Sequence, residues 1–207
     1  MKKTRGIYIA FEGIGGSGKT YHARQLVKKL KEENLPVEYV KDPHIKMIKK
    51  FVQKYDTEKK FPGLKAYILL AGRIILQEEV ILPALQDGKI VISDRSPYTS
   101  AVYESIRGNI SPDFIFRIHN GLVKFPDKVF LLDVPPNVAI KRKKKTKGTL
   151  RSYETRAFNT KARDLYLKLS KKDKDRFVVI DNNRKRKVVT EEIWQKVKEI
   201  INIQSKV

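Results

Sequence analysis

The 207-residue sequence predicts an α/β fold in which a five-stranded parallel sheet is flanked by helices. Three observations predict it. Five short apolar runs rich in β-branched and aromatic residues recur along the chain, as strands buried on both faces do. Stretches with helical character separate them, and this alternation joins parallel strands by right-handed crossovers. Finally, 41% of the residues are apolar, and a chain of this size buries about 70% of its unfolded surface, enough for a core of its own. With no internal repeat and no Pro/Gly/Ser-rich linker, residues 1–207 read as one domain.

The elements follow in order. The first strand is Gly6–Phe11. The basic residues 1–5 before it resemble a signal n-region, but the apolar stretch from Ile7 to Phe11 is too short and runs into glycines instead of a cleavage site. No run approaches the ~18 apolar residues of a membrane span, which predicts a soluble, cytoplasmic protein. The helix Lys19–Asn34 follows, with Ala23, Leu26, Val27 and Leu30 at helical spacing. Strand two is Val37–Val40, and helix Pro62–Gln86 leads to strand three, Ile90–Ser93. Helices Ser96–Ser105 and Pro112–Lys124 precede strand four, Val129–Leu132. Helices Pro136–Lys144 and Tyr153–Lys171 precede strand five, Phe177–Ile180, and Val188–Ile203 closes the chain. Between the two middle helices, Lys141–Arg151 holds seven Lys/Arg in eleven residues, and no acid occurs between Asp133 and Glu154. The chain is long enough for one domain with a small inserted lid.

The sequence holds no cysteine and three scattered histidines, His22, His44 and His119, which excludes disulfide scaffolds and disfavours Cys- or His-built metal centres. The formal charge of +22 admits two partners, a nucleic acid or small phosphorylated ligands.

The chemistry lies in Gly13-Ile14-Gly15-Gly16-Ser17-Gly18-Lys19-Thr20, a complete G-x-x-x-x-G-K-[ST] between a strand and a helix. Glycines let backbone N–H groups converge on anionic oxygens, and the helix N-terminus adds its positive end. Lys19 reaches the β/γ-phosphates and Thr20 offers a hydroxyl to Mg²⁺, so the motif predicts nucleoside-triphosphate binding on a P-loop NTPase fold. Asp94, at the end of strand three, lies near that loop in open sheets and can hold Mg²⁺ through water or orient an attacking group. The plainer alternative is that it caps helix Ser96–Ser105. Arg95 can clamp a second phosphate.

The order of further landmarks is more specific. Phe11-Glu12-Gly13 opens the loop, Lys41-Asp42-Pro43 follows strand two, and Leu69-Leu70-Ala71-Gly72-Arg73 lies in the long helix. Asp94-Arg95, Thr99-Ser100 and Tyr103 come next, then Leu132-Asp133-Val134-Pro135-Pro136 and the basic lid. In these residues the chain resembles the thymidylate kinases, which move the γ-phosphoryl group of ATP to dTMP. The resemblance implies that Arg95 holds the acceptor phosphate, with Asp42 near it. Arg73 contacts the acceptor near its base, Tyr103 packs on the deoxyribose, and Leu69 and Ser100 complete the acceptor side. It implies that Arg142 and Arg151 of the lid supply catalytic charge beside Lys19 and Arg95. Arg142, Asn182 and Arg184 surround adenine, and the protein is a homodimer through helices like Pro62–Gln86 and Ser96–Ser105. Without the family, Tyr103 reads equally as a core residue and Arg73 as a surface arginine lying along a helix. The chain departs from the family at Gly15, usually Asp, at Leu69, where the family stacks Phe on thymine, and at Glu104, commonly Gln. Gly16 stands where some members carry a catalytic Arg.

Two rival readings are a deoxynucleoside kinase or a kinase for another pyrimidine monophosphate, and a nucleic-acid-associated ATPase. A nucleoside acceptor needs a carboxylate base, for which Glu12 or Asp42 could serve, whereas Arg95, Arg73 and Lys41 suit an acceptor that already carries a phosphate. The ATPase reading lacks an RNA-binding aromatic signature and a second ATPase motif. Its basic blocks fall at the lid and at Arg184–Lys187.

Overall fold

Each of the five apolar runs forms a strand, and each strand ends one residue beyond the run, on a charged side chain. The computed structural model describes residues 6–54, 62–147 and 155–204. In it β1 (Ile7–Glu12) lies between β3 (Ile90–Asp94) and β4 (Lys128–Asp133), with β2 (Val37–Lys41) outside β3 and β5 (Phe177–Asp181) outside β4. The order is β2-β3-β1-β4-β5 and every pair is parallel. Register sets Phe11 and Lys41 on either side of Asp94, and Asp133 beside Asp181. The carboxyl edge of the sheet is therefore a row of charges, Lys41, Asp94, Glu12, Asp133 and Asp181, at the place where open α/β sheets bind ligands.

The alternation of strand side chains divides the core. Ile7, Ile9, Phe11, Ile92, Phe130, Leu132 and Ile180 pack under α1 (Lys19–Glu32) and α9 (Arg186–Gln204) through Leu26, Leu30, Ile193 and Trp194. On the opposite face, Val129 and Leu131 meet α5 (Pro97–Gly108), α7 (Pro136–Lys147) and α8 (Arg156–Lys172) through Val102, Ala139, Ala162 and Tyr166. Tyr8, Val40 and Val91 are covered by Leu76, Ile81, Ala84 and Leu85. Burying such apolar side chains stabilises the fold by roughly 1.5–3 kcal/mol each.

Helix boundaries follow local chemistry. Ser96, Ser111 and Thr155 cap α5, α6 (Pro112–His119) and α8 by accepting from the N–H groups of Tyr98, Phe114 and Phe158. Pro97 and Pro112 occupy first-turn positions that need no donor. Asp94 is thus not the cap of α5. The expected helix to Lys124 stops at His119, because Gly121 turns the chain at φ 77°. The expected continuous helix Pro62–Gln86 is α3 (Pro62–Leu76), one π-helical turn at Gln77–Ile81, and α4 (Leu82–Gln86). Pro83 has no N–H to donate, and the Leu82 N–H reaches back five residues to the Gln77 carbonyl. A further helix, α2 (Lys46–Lys54), was not expected and buries Ile48 and Val52, one turn apart, against Leu69.

Candidate active site

The loop from Gly13 to Gly18 wraps the ammonium of Lys19. Nζ donates to the carbonyls of Gly13 (2.7 Å) and Ile14 (2.9 Å) and lies 3.4 Å from Ser17 Oγ. Burial, and then the charge of Arg95, push its pKa down to about 7. Gly18 at φ 90° and Gly16 at φ 87° hold backbone that other residues rarely adopt. A Cβ on Gly16 would stand 2.1 Å from the Ala139 carbonyl oxygen, because the first turn of α7 packs directly on the loop. No side chain fits there, so a catalytic arginine cannot come from this position.

One cleft of about 590 Å³ opens over the carboxyl edge of the sheet. Gly15, Gly16, Gly18, Lys19, Thr20, Asp42, Leu69, Arg73, Asp94, Arg95, Tyr103, Arg142 and Asn182, all expected site residues, line it. At its floor Thr20 Oγ1 donates to Asp94 Oδ2 at 2.5 Å. Asp94 is 1% exposed, and burial alone would raise its pKa; Arg95, Lys19, the Thr20 hydrogen bond and Lys41 outweigh it and hold the carboxyl below its usual range. Arg95 adopts φ 92°, a conformation costing about 1–3 kcal/mol at a non-glycine residue. Three contacts hold the turn there: the Arg95 N–H on the Phe11 carbonyl (3.2 Å), Ser93 Oγ on the Arg95 carbonyl (2.5 Å), and the anchoring of Ser96 by Glu12. The Arg95 guanidinium lies 5.6 Å from the centre of the Tyr103 ring.

Glu12 lies behind this turn, off the cleft. Oε1 accepts from Ser96 N–H (2.8 Å) and Ser96 Oγ (2.7 Å), and Oε2 accepts from Thr99 Oγ1 and Tyr166 OH, both at 2.7 Å. One carboxylate thus joins β1, the Arg95 turn and α8. Asp42 is equally committed, since its Oδ2 accepts from Arg73 Nε and Nη2, both at 2.6 Å. Both carboxylates that a nucleoside kinase would have used as a base are therefore already engaged.

Arg73 is 4% exposed, which overturns its reading as a surface arginine. Its Nη1 donates to Ser100 Oγ (2.8 Å) and to His119 Nε2 (3.1 Å). His119 Nδ1–H donates to the Ile115 carbonyl (2.7 Å), leaving Nε2 as the acceptor. Burial, then Arg73, lower the His119 pKa to about 4. Ser100 is buried and serves this cluster without lining the cleft. Leu69 and Val52 form an apolar wall, while Glu104, ion-paired to Arg107 at 2.5 Å, lies nearby on the cleft.

At the other end the side chain of Asn182 donates to the Ser17 carbonyl and accepts from His22 Nε2 at 3.2 Å. His22 Nδ1 then accepts from the Thr190 hydroxyl at 3.1 Å. This chain ties the phosphate loop to α1 and α9. Burial first, with Arg186 and Arg142 against the opposing Asn182 contact, brings the His22 pKa to about 4. The backbone carbonyl of Asn182 accepts from Arg142 Nη1 at 2.9 Å, tying α7 to the residue after β5. Arg184 is off the cleft: its Nε donates to the Asp181 carbonyl (3.0 Å) and its Nη2 to Glu192. Arg186 lines the cleft instead, 4.8 Å from the centre of the Tyr21 ring. Gly13 and Ser17 shape the loop from behind. Arg151 lies outside the described residues. Arg163 grips Asp133 with two hydrogen bonds of 2.6 and 2.8 Å, fastening α8 to the end of β4.

Lys49, Gln53, Tyr21, His22 and Arg186 line the cleft without having been expected there. Lys49 and Gln53 ride on α2, and the spacing of Ile45, Ile48 and Val52 was the available signal for that helix. Tyr21 and His22 directly follow the Lys-Thr of the motif, and Arg186 was hidden in a block of four basic residues.

Comparison with known proteins gives one family. A family model described as Thymidylate kinase matches residues 11–193. The chain is 33% identical over 200 residues to a thymidylate kinase of Fervidobacterium nodosum, covering 95% of this chain and 98% of that one. It is 34% identical to a probable thymidylate kinase of Staphylothermus marinus, over 89% of this chain and 90% of that one. It is 32% identical to a thymidylate kinase of Leptospira interrogans over the full length of both.

Proposed function

The chain belongs to the thymidylate kinase family, and from that premise we infer that it is a thymidylate kinase, transferring the γ-phosphoryl group of ATP to dTMP to give dTDP and ADP. The observation that carries the reading is the cleft itself. It holds the phosphate loop with Lys19 together with Arg73, Arg95 and Lys41 in one space of about 590 Å³, positive charge enough for two phosphorylated substrates. Two phosphorylated substrates suit it better than a nucleoside and a nucleotide.

In this reading the loop N–H groups and Lys19 hold the donor phosphates, and Arg95 holds the acceptor phosphate. An oxygen of that phosphate bonds to the γ-phosphorus in line with the departing β–γ bridge oxygen, which leaves on ADP. The acceptor oxygen is already deprotonated, so no general base is needed, in keeping with the engaged state of Glu12 and Asp42. Catalysis is then positioning and charge. Arg142 and Arg151 of the lid at about 141–156 bring positive charge to the transferring group, and their planar forks match phosphate oxygens better than the neighbouring lysines do. Lid closure excludes water and suppresses ATP hydrolysis. Asp42, Ser100 and His119 hold Arg73 at the acceptor base, Tyr103 packs on the deoxyribose, and Leu69 borders the base. Adenine lies against Arg142, beside Asn182.

The donor set fits Mg²⁺. Thr20 and Asp94 offer a hydroxyl and an ionised carboxylate, hard oxygen ligands. An ion of this kind is held by one or two such oxygens together with substrate phosphates. When bound there, Mg²⁺ neutralises charge on the donor phosphates.

No helix among the described residues is long and apolar enough to cross a membrane. A cytoplasmic location belongs to the same reading, since a chain without cysteine works unchanged in a reducing compartment. So does a homodimer: Leu64, Tyr67, Ala71 and Ile75 form an exposed seam at helical spacing along α3. The deciding experiment is an acceptor panel with ATP and Mg²⁺. dTMP is expected to be the best acceptor. Phosphorylation of thymidine but not dTMP would overturn the reading.

A further inference from the structure

Lys41 closes β2 and stands in register with Asp94. Its ammonium lies 3.0 Å from Asp94 Oδ2 and donates to Thr20 Oγ1 at 3.2 Å. These are the two oxygens assigned above to the divalent cation. The partners differ in freedom: the Asp94 side chain is 1% exposed and rigidly placed, whereas that of Lys41 is 52% exposed on a flexible four-carbon stem. Oδ2 already accepts from the Thr20 hydroxyl, so the ammonium takes the remaining lone-pair direction on that oxygen. A divalent cation approaching Asp94 and Thr20 meets that ammonium at contact distance, with Arg95 and Lys19 adding to the positive field.

We propose that Lys41 competes with the divalent cation for the Asp94–Thr20 pair and must swing out before the cation is held. The competition keeps the nucleotide-free enzyme a weak binder of divalent cations. The cation then arrives with the donor phosphates, whose negative charge outweighs the three basic side chains. Lys41, once displaced, stays within the cleft it already lines, beside Asp42 and Arg95.

The inference rests on the assignment of Thr20 and Asp94 as the cation's ligands, and the test separates the two. Mn²⁺ binding to the full nucleotide-free chain is measured by electron paramagnetic resonance, with no turnover involved. Lys41→Met and Lys41→Gln are expected to bind Mn²⁺ about fivefold more tightly than the parent, the effect of losing a partly exposed ion pair worth about 1 kcal/mol. Lys41→Arg, which keeps a cation, is expected to restore weak binding. Tightening beyond about twofold in the Met and Gln variants supports the proposal, and a change of twofold or less, or weaker binding, overturns it. Asp94→Asn is expected to abolish the site in both backgrounds. If Asp94→Asn binds as the parent does, the ligand assignment has failed. If it abolishes binding while both Lys41 variants match the parent, the competition alone has failed. Far-UV circular dichroism of each variant confirms the fold.

Discussion

Gly16 shows how much a single atom decides. The absent Cβ lets the Ala139 carbonyl rest on the phosphate loop, and φ of 87° penalises any replacement. Gly16→Ala is expected to cost about 1–3 kcal/mol in urea denaturation. Gly63→Ala, where nothing lies within 4 Å, should be neutral or stabilise by up to about 1 kcal/mol. The two buried histidines give a pH signature. Native His22 and His119 titrate at about 4, while unfolded imidazoles titrate near 6.5. Between these values the unfolded chain binds more protons, so stability falls as pH drops through that window and is fully present above it. The histidine contribution to the urea midpoint should be fully present by about pH 7 and decline from about pH 6.5 toward 4. A His22→Gln/His119→Gln double variant should flatten that decline, and an unchanged slope would contradict the assignment. At this scale the sequence was legible wherever chemistry dictates spacing. The phosphate loop, Asp94 and Arg95 could all be named because each sits at a strand end or in a motif. The partners of those residues could not. Glu12 meets Tyr166 across 154 positions and His22 meets Asn182 across 160, and no local pattern announces such pairs.

At the scale of elements, strands were the easiest to read because burial on both faces leaves an unbroken apolar run. Their charged last residues were lost to the same criterion, which stopped where the apolar run stopped. α2 was missed because its lysines mask two buried residues on one narrow face, and Pro83 was the overlooked sign of the π-helical turn. The element on which the proposed chemistry leans most is α7. Its Arg142 donates to the carbonyl of Asn182, one residue past the end of β5. Arg142→Ala is expected to lower kcat about 10²-fold, the usual effect of removing one transition-state donor, with a smaller change in ATP affinity. Arg151→Ala is expected to act in the same direction. If single-turnover rates of both variants match the parent, the lid does not supply the catalytic charge.

At the scale of the whole molecule, the charge of +22 has partly found its use. Lys19, Lys41, Arg73, Arg95, Arg107, Arg142, Lys143 and Arg186 all line one cleft, which concentrates positive potential where anionic substrates bind. The association rate with ATP should therefore fall as salt is raised. The seam on α3 sets the expected assembly. Tyr67→Glu or Ile75→Glu, each at an exposed apolar position, should convert a dimer to a monomer by light scattering with little loss of thermal stability. A parent that is monomeric at micromolar concentration would remove the dimer. The placement of every charged strand end on one edge of the sheet has a practical consequence. The connections before β3, β4 and β5 lie at the other edge, and Lys174, in the turn ahead of β5, is exposed there. A fluorophore, fusion partner or solid support attached at that turn would stand a strand's length away from the substrates, leaving the working edge open to solution.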